Sequence, residues 1–120
     1  MGKLFKTSAS GGNYVATAVE TISASGTITS VASGLQYRPV TGDGGAVSAS
    51  ATPFGTALQW QTGTKIVLKG NHAANTVALA HNDATDGAIL NGAAVLGLND
   101  ILELMYDSTL ERWIEVGRNF

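Results

Sequence analysis

The residues of this chain best suited to chemistry are two histidines and a handful of carboxylates. His72 and His81 stand in neighbouring polar stretches. With Asp83 or Asp86 as a third ligand they would suit zinc or nickel. Their spacing fits no ligand motif, however, and polar residues at turn tips account for both. Asn82-Asp83-Ala84-Thr85-Asp86-Gly87 crowds oxygen atoms as a calcium loop does, yet it lacks the alternating acids and the distal Glu of that site. An Asx-capped turn explains it with less.

Gly42-Asp43-Gly44-Gly45 is not followed by the Lys-Ser or Lys-Thr of a phosphate cradle, and no helix start is signalled there. The serines have no Gly-x-Ser-x-Gly elbow, and nothing in the sequence pairs one with a base. Glu103 and Glu115 could in principle flank a glycosidic bond. Each alternates with apolar neighbours, the pattern expected on the wet face of a half-buried strand. The expectation is a chain that is not an enzyme and needs no cofactor and no metal.

Composition points the same way. Charged residues make up 13% of the 120 residues and the formal net charge is -2, against a charged fraction of about 25% in an average soluble protein. Without a run of Lys or Arg there is no footprint for phosphate, so nucleic acid is not an expected partner. A neutral surface rich in Gly, Ala, Ser, Thr and Asn is instead suited to meeting another protein. Cysteine is absent, which excludes disulfides and thiolate chemistry and leaves stability to packing and pairing. The basic start Met1-Gly2-Lys3-Leu4-Phe5-Lys6 has no apolar run behind it, so no secretory signal is expected, and no stretch reaches the roughly 18 apolar residues of a membrane span. Synthesis in a host cytoplasm, with no membrane partner, follows as the expectation.

The elements that must position these residues are short β runs. Residues 1–34 are built from small residues, with alternating pieces at Tyr14 to Ile22 and Thr27 to Val31. Large apolar groups are too thinly spread there to offset a backbone ordering cost of about 1–2 kcal/mol per residue. The segment therefore reads as an extended arm that orders against a partner, with Leu4, Phe5, Tyr14, Val15, Val19 and Ile22 as its partner-binding residues.

Residues 35–120 read as a compact β domain. Leu35 to Val40 carries Pro39, which predicts an edge position or a strand end. Further strands are expected at Ala46 to Ser50, Thr64 to Lys69, Thr76 to Ala80, Ala88 to Leu90, Ala93 to Leu96, Ile101 to Tyr106 and Arg112 to Val116, separated by Gly-, Asn- and Asp-rich turns. The stretch from Ala93 to Tyr106 could carry a helical period, but Gly97 and Asn99-Asp100 interrupt it. The fold class expected is all-β, with short antiparallel strands in a compact sandwich, a barrel-like form or an intertwined trimeric module. The rings of Phe54, Trp60, Tyr106, Trp113 and Phe120 are assigned to core or subunit contact.

A resemblance rests on the order of several pieces of text. Arg38-Pro39-Val40 is followed by Gly42 to Val47, Thr52-Pro53-Phe54-Gly55, Thr64 to Gly70 and Asn75-Thr76-Val77. After these come His81-Asn82-Asp83, Gly87 to Gly92, Leu96-Gly97, Asp100 to Asp107 and Arg112-Trp113-Ile114-Glu115-Val116. From Tyr37 onward, roughly two-thirds of the chain, this pattern resembles a β-rich module of bacteriophage virion proteins: capsid decoration (cement) proteins, head fibres, tail fibres and tailspikes. The resemblance implies a virion structural protein, commonly a homotrimer. One module plus an arm, starting at its own Met1, suggests a decoration protein on the capsid surface that ties neighbouring major capsid proteins, or another virion protein, together. The alternative it implies is a short head or tail fibre or tailspike module that binds host-surface carbohydrate, whose mark would be an exposed aromatic beside clustered carboxylates in one groove.

Overall fold

The computed structural model describes residues 15–120, and side chains from Thr17 onward. Alternation places the longest strands. In β5 (Lys65–Gly70) Ile66 and Leu68 point inward between half-exposed Lys65, Val67 and Lys69. In β9 (Ile101–Asp107) Leu102, Leu104 and Tyr106 point inward, and β10 (Arg112–Arg118) contributes Trp113. These three strands are antiparallel neighbours: β5 pairs with β9, and β9 with β10. The turn between β9 and β10 is held by Asp107 Oδ1, which accepts the amides of Thr109 (2.9 Å) and Leu110 (3.1 Å).

The rest of the pairing is mostly parallel, contrary to the antiparallel expectation. β3 (Leu35–Gly42) runs parallel to β5, and β1 (Val15–Ala16) and β2 (Glu20–Ile22) run parallel to β3. β7 (Ala88–Ile89) lies parallel to β10. Together these seven strands form one sheet in the order β1-β3-β5-β9-β10-β7, with β2 also on β3. A smaller sheet has β4 (Val47–Ser48) parallel to β6 (Val77–Leu79), and β6 antiparallel to β8 (Ala94–Leu96).

The reason lies in the winding. Leu35 stands beside Lys65, and Val47 beside Val77, both 30 residues further on. Consecutive strands β3 and β4 therefore go to different sheets, and the chain makes a full circuit before it lies on itself again in the same direction. Glycines permit the tight corners of this coil. A Cβ on Gly42 would collide with the carbonyls of Gly45 and Thr76, and one on Gly70 with the carbonyl of Gly97.

Pro39 is also placed differently from expectation. It lies inside β3, which is flanked on both sides. The carbonyl of Tyr37 accepts from Thr17 and that of Val40 from Asn71, so alternation aims the donor-less Pro39 nitrogen at the break between β1 and β2. No ladder hydrogen bond is lost.

The large sheet curls over the small one, and the core between them closes within a single chain. Among the described residues seventeen hydrophobic side chains are buried, including Ile66, Leu68, Val77, Leu79, Leu96, Leu102, Leu104 and Trp113. Residues 17–34, expected as part of an extended arm, are stitched into this same fold. Ile22 and Ile28 are each 1% exposed in the core. The amide of Ile28 donates to Pro53 O, that of Gln61 to Ala32 O and that of Lys65 to Gly34 O. Fully buried Gln36 accepts from Val31 N (2.9 Å) and donates to Thr29 O (3.2 Å), which fixes the strap at its middle. Of the residues expected to bind a partner from the arm, Ile22 is in this chain's own core, Val19 is exposed, Val15 pairs with Gln36, and Leu4, Phe5 and Tyr14 lie outside the described residues.

Candidate functional site

Four of the five expected aromatics meet at one end of the curled sheet. Trp113 and Tyr106 face each other across the β9–β10 register. Around the Trp113 ring stand Phe54 at 4.7 Å, Tyr106 at 5.2 Å and Trp60 at 5.3 Å between centroids, in tilted or edge-on geometry. Trp60 and Tyr106 are 5.0 Å apart. Tilted and edge-on pairs of this kind contribute beyond their burial. The Trp60 indole donates to Ser30 Oγ at 2.8 Å. The buried Trp113 indole N–H has no hydrogen-bond acceptor among the described residues. The fifth aromatic, Phe120, stands apart from this cluster: it is 43% exposed, and the Arg118 guanidinium lies over its ring at 5.1 Å.

Above this cluster opens a cleft of about 440 Å³. It is lined by Trp60 and Tyr106, by Asp86, Ser108 and Glu111, and by Thr56, Leu58 and Gln59. The Tyr106 hydroxyl donates to Asp86 Oδ1 at 3.3 Å. Burial first, and then the Asp86 charge, push the phenol above its ordinary range, so it stays protonated as a donor. Two turns meet here: the Asp86 amide donates to the Glu111 carbonyl at 2.7 Å. Both residues have left-handed backbones, φ +62° and +58°. Asp tolerates this conformation, whereas Glu at the end of a hairpin turn stands where Gly is the usual choice.

The residues expected as candidates for chemistry are engaged elsewhere. His72 Nδ1 accepts the amides of Ala74 (3.0 Å) and Asn75 (2.9 Å), and His81 Nδ1 accepts that of Leu90 (3.0 Å). Asp83 pairs with Arg112 at 2.7 Å and Asp86 receives Tyr106, so neither joins a histidine. Among the described residues no three His, Asp or Glu side chains stand together as a metal site. In Gly42-Asp43-Gly44-Gly45 the Gly42 amide is bound to Asn75 O and the Asp43 amide to Ile22 O, so neither is free to cradle an anion.

Glu103 and Glu115 cannot flank one bond, because they occupy opposite faces of the large sheet. Glu103 lies on the outer face and pairs with Lys65 at 3.2 Å. Glu115 registers with buried Leu104 and so faces inward, not to the wet side as expected. Arg118 donates twice to its carboxylate at 2.7 Å, and the Asn91 amide adds a bond at 2.8 Å. The Arg118 hydrogen bonds hold the Glu115 carboxyl below the usual carboxylate range against the opposing effect of burial. Arg118 also donates to the carbonyls of Gly92 (2.9 Å) and Ala93 (3.2 Å), which ties the turn after β7 to the end of β10.

Trp60 and Tyr106 were visible in the sequence as rings to be placed, but Glu111 was not. Its one signal is a non-glycine residue ending a tight turn before a strand. No family model matches the chain, and no curated protein matches it. A solved structure described as "Structure of a chaperone-substrate complex" is similar at 12% identity with a TM-score of 0.47, over 80% of this chain and 16% of that one.

Proposed function

We propose that this chain is a non-enzymatic structural protein of a bacteriophage particle, a capsid decoration protein that associates as a homotrimer and ties neighbouring capsid subunits on the virion surface. The phage assignment is supported by the resemblance carried from Arg38 to Val116. The observation that carries the adhesive role is the outer face of the large sheet. Register sets Ile89, Ile114, Met105, Lys65 and Leu35 side by side across five strands, aliphatic at every position but one. The next row runs from Tyr37 through Val67 to Glu103. An ordinary single-sided sheet alternates to polar residues on such a face. Met105, at the centre of the row, is 37% exposed. A largely aliphatic face of this kind, crossed by the Lys65–Glu103 ion pair, is suited to a second protein, and copies of the chain meeting there leave their other faces free for the capsid. Many weak attachments then act together through high effective concentration.

The test combines light scattering with co-sedimentation of the purified protein with particles that lack it. A trimer that sediments with particles is the expected result. Ile114→Glu should reduce it to a monomer with an unchanged β signal and much weaker attachment. A wild-type monomer that fails to sediment would end this reading.

A further inference from the structure

The turn after β7 carries a pair of residues with a chemistry of its own. We propose that Asn91-Gly92 is a self-modification site, at which the Gly92 nitrogen attacks the Asn91 side chain and turns it, through a succinimide, into aspartate or isoaspartate.

The step needs no co-reactant but water. Hydroxide from solvent removes the Gly92 amide proton, the nitrogen forms a bond to Asn91 Cγ, and the side-chain nitrogen leaves as ammonia with a proton taken from solvent. Water then opens the ring. Opening at the former side-chain carbonyl gives aspartate, and opening at the main-chain carbonyl gives isoaspartate. The sum is asparagine plus water to acid plus ammonia.

A folded chain permits this only if the nitrogen is reachable, its N–H is not held in a hydrogen bond, and the side chain can turn onto it. Asn91 and Gly92 are both exposed. Among the described residues, neither the Gly92 amide nor the Asn91 side chain makes a hydrogen bond. Gly92 has φ +85°, and no neighbouring atom lies within 4 Å of the place a Cβ would take, so glycine leaves this flank of the nitrogen open. The main chain around the pair is fastened by contrast. The Asn91 amide donates to Glu115 Oε1 at 2.8 Å, and Arg118 donates to the carbonyls of Gly92 (2.9 Å) and Ala93 (3.2 Å). The reacting atoms are bare in a turn that is held in place.

Related pairs elsewhere fail one requirement or another. In Asp86-Gly87 the glycine amide donates to Ala84 O at 2.8 Å, a Cβ would collide with Asn82, and the Asp86 carboxylate receives Tyr106. Asp43-Gly44 is open, but a carboxylate resists attack by an amide nitrogen where a carboxamide does not. Asn82 donates to Ala51 O at 2.8 Å, and both polar atoms of the Asn119 side chain are engaged. Asn71, Asn75 and Asn99 precede His, Thr and Asp, whose side chains stand beside the nitrogen.

Conversion changes the fastening. The new carboxylate arises next to Glu115 and adds a negative charge to a chain of formal charge -2. In isoaspartate the main chain also runs through the former side chain and gains one carbon–carbon bond of about 1.5 Å. The hydrogen bonds from Glu115 and Arg118 tolerate changes of only about half an ångström. Isoaspartate therefore releases the turn from the end of β10, and loss of ammonia makes the release one-way.

The inference does not rest on the particle role. Its test incubates the folded full-length protein at mildly alkaline pH in water enriched in heavy oxygen, followed by peptide mapping. Residue 91 should take up label faster than any other Asn and than either Asp-Gly pair, at a rate that rises in proportion to hydroxide. Hydroxylamine, which cleaves succinimides, should cut the chain between Asn91 and Gly92. Asn91→Gln, whose longer side chain disfavours the ring, should abolish both signals and leave the β signal and melting temperature unchanged. The isoaspartate form, resolved by anion exchange, should melt below both the unconverted protein and the Asn91→Asp variant, whose backbone is not lengthened. Residue 91 left intact in the folded protein would overturn the site, and its conversion in urea would then show that the fold shields it. An isoaspartate form that melts with the unconverted protein would overturn the release of the turn.

Discussion

The coil from β3 to β6 and the hairpin of β9 and β10 share one core but are held by different means. In the coil, parallel strands lie beside partners 30 residues away, and the corners depend on backbone meeting backbone at Gly42 and Gly70. In the hairpin, adjacent strands pair antiparallel, and the stabilising mass is the ring of Trp113 among Phe54, Trp60 and Tyr106. One region is sensitive to atoms added, the other to atoms removed. A chain of small residues can thus build a core if it concentrates its large rings at one end and its glycines at the corners of the other.

The largest effect is expected from cutting the rings. Trp113→Ala should lose about 3–5 kcal/mol, the usual cost of truncating a large buried aromatic, read as a fall in melting temperature. Its counterpart in the coil, Gly70→Ala, should lose about 1–3 kcal/mol because the added methyl forces the Gly97 backbone to shift. A Gly70→Ala melt equal to wild type would show that the corner yields freely and that the coil is not built on close approach.

A middle-sized effect is expected where the hairpin is fastened to the turn after β7. Glu115 titrates lower in the fold than in the unfolded chain, because Arg118 hydrogen-bonds its ionised form. Its contribution is therefore complete above the ordinary carboxylate range, near pH 4.3, and lost as pH falls through the lowered folded value. Arg118→Leu removes the cause of the lowering and leaves Glu115 half-buried with only the Asn91 amide. The acid-unfolding midpoint of this variant should move to higher pH. An unchanged midpoint would mean that Asn91 alone holds the carboxylate.

The smallest effect has the opposite sign. Glu111→Gly should raise stability by up to about 1 kcal/mol, since glycine adopts the left-handed turn without a Cβ penalty. A lower melting temperature would show that the Glu111 side chain contributes more to the fold than its backbone costs.

The sequence carried much of the hairpin and little of the coil. Alternation over Lys65–Gly70 and Ile101–Asp107 is a local signal, and the strands appear within a residue or two of where it placed them. Glu115 lies between apolar Ile114 and Val116, a pattern that suits the wet face. Two residues before Glu115 stands Trp113, whose larger apolar surface decides which face is buried, and period two then turns Glu115 inward as well. The cleft was half legible: the rings announced themselves, but nothing local brings residues 56–60, 86 and 106–111 together.

By itself the sequence determined the all-β class, the positions of the strands and the hairpin turn at Asp107, because these depend on side-chain alternation and turn chemistry within a few residues. Only the tertiary structure decided that most pairings are parallel, that Pro39 faces a gap, that Ile22 and Ile28 are buried in the core and that Asp86 meets Glu111. The physical reason is that a backbone hydrogen bond is the same whichever strand supplies it. Choice among partners is made by the whole core, through where Trp113 and its neighbours can be buried at once.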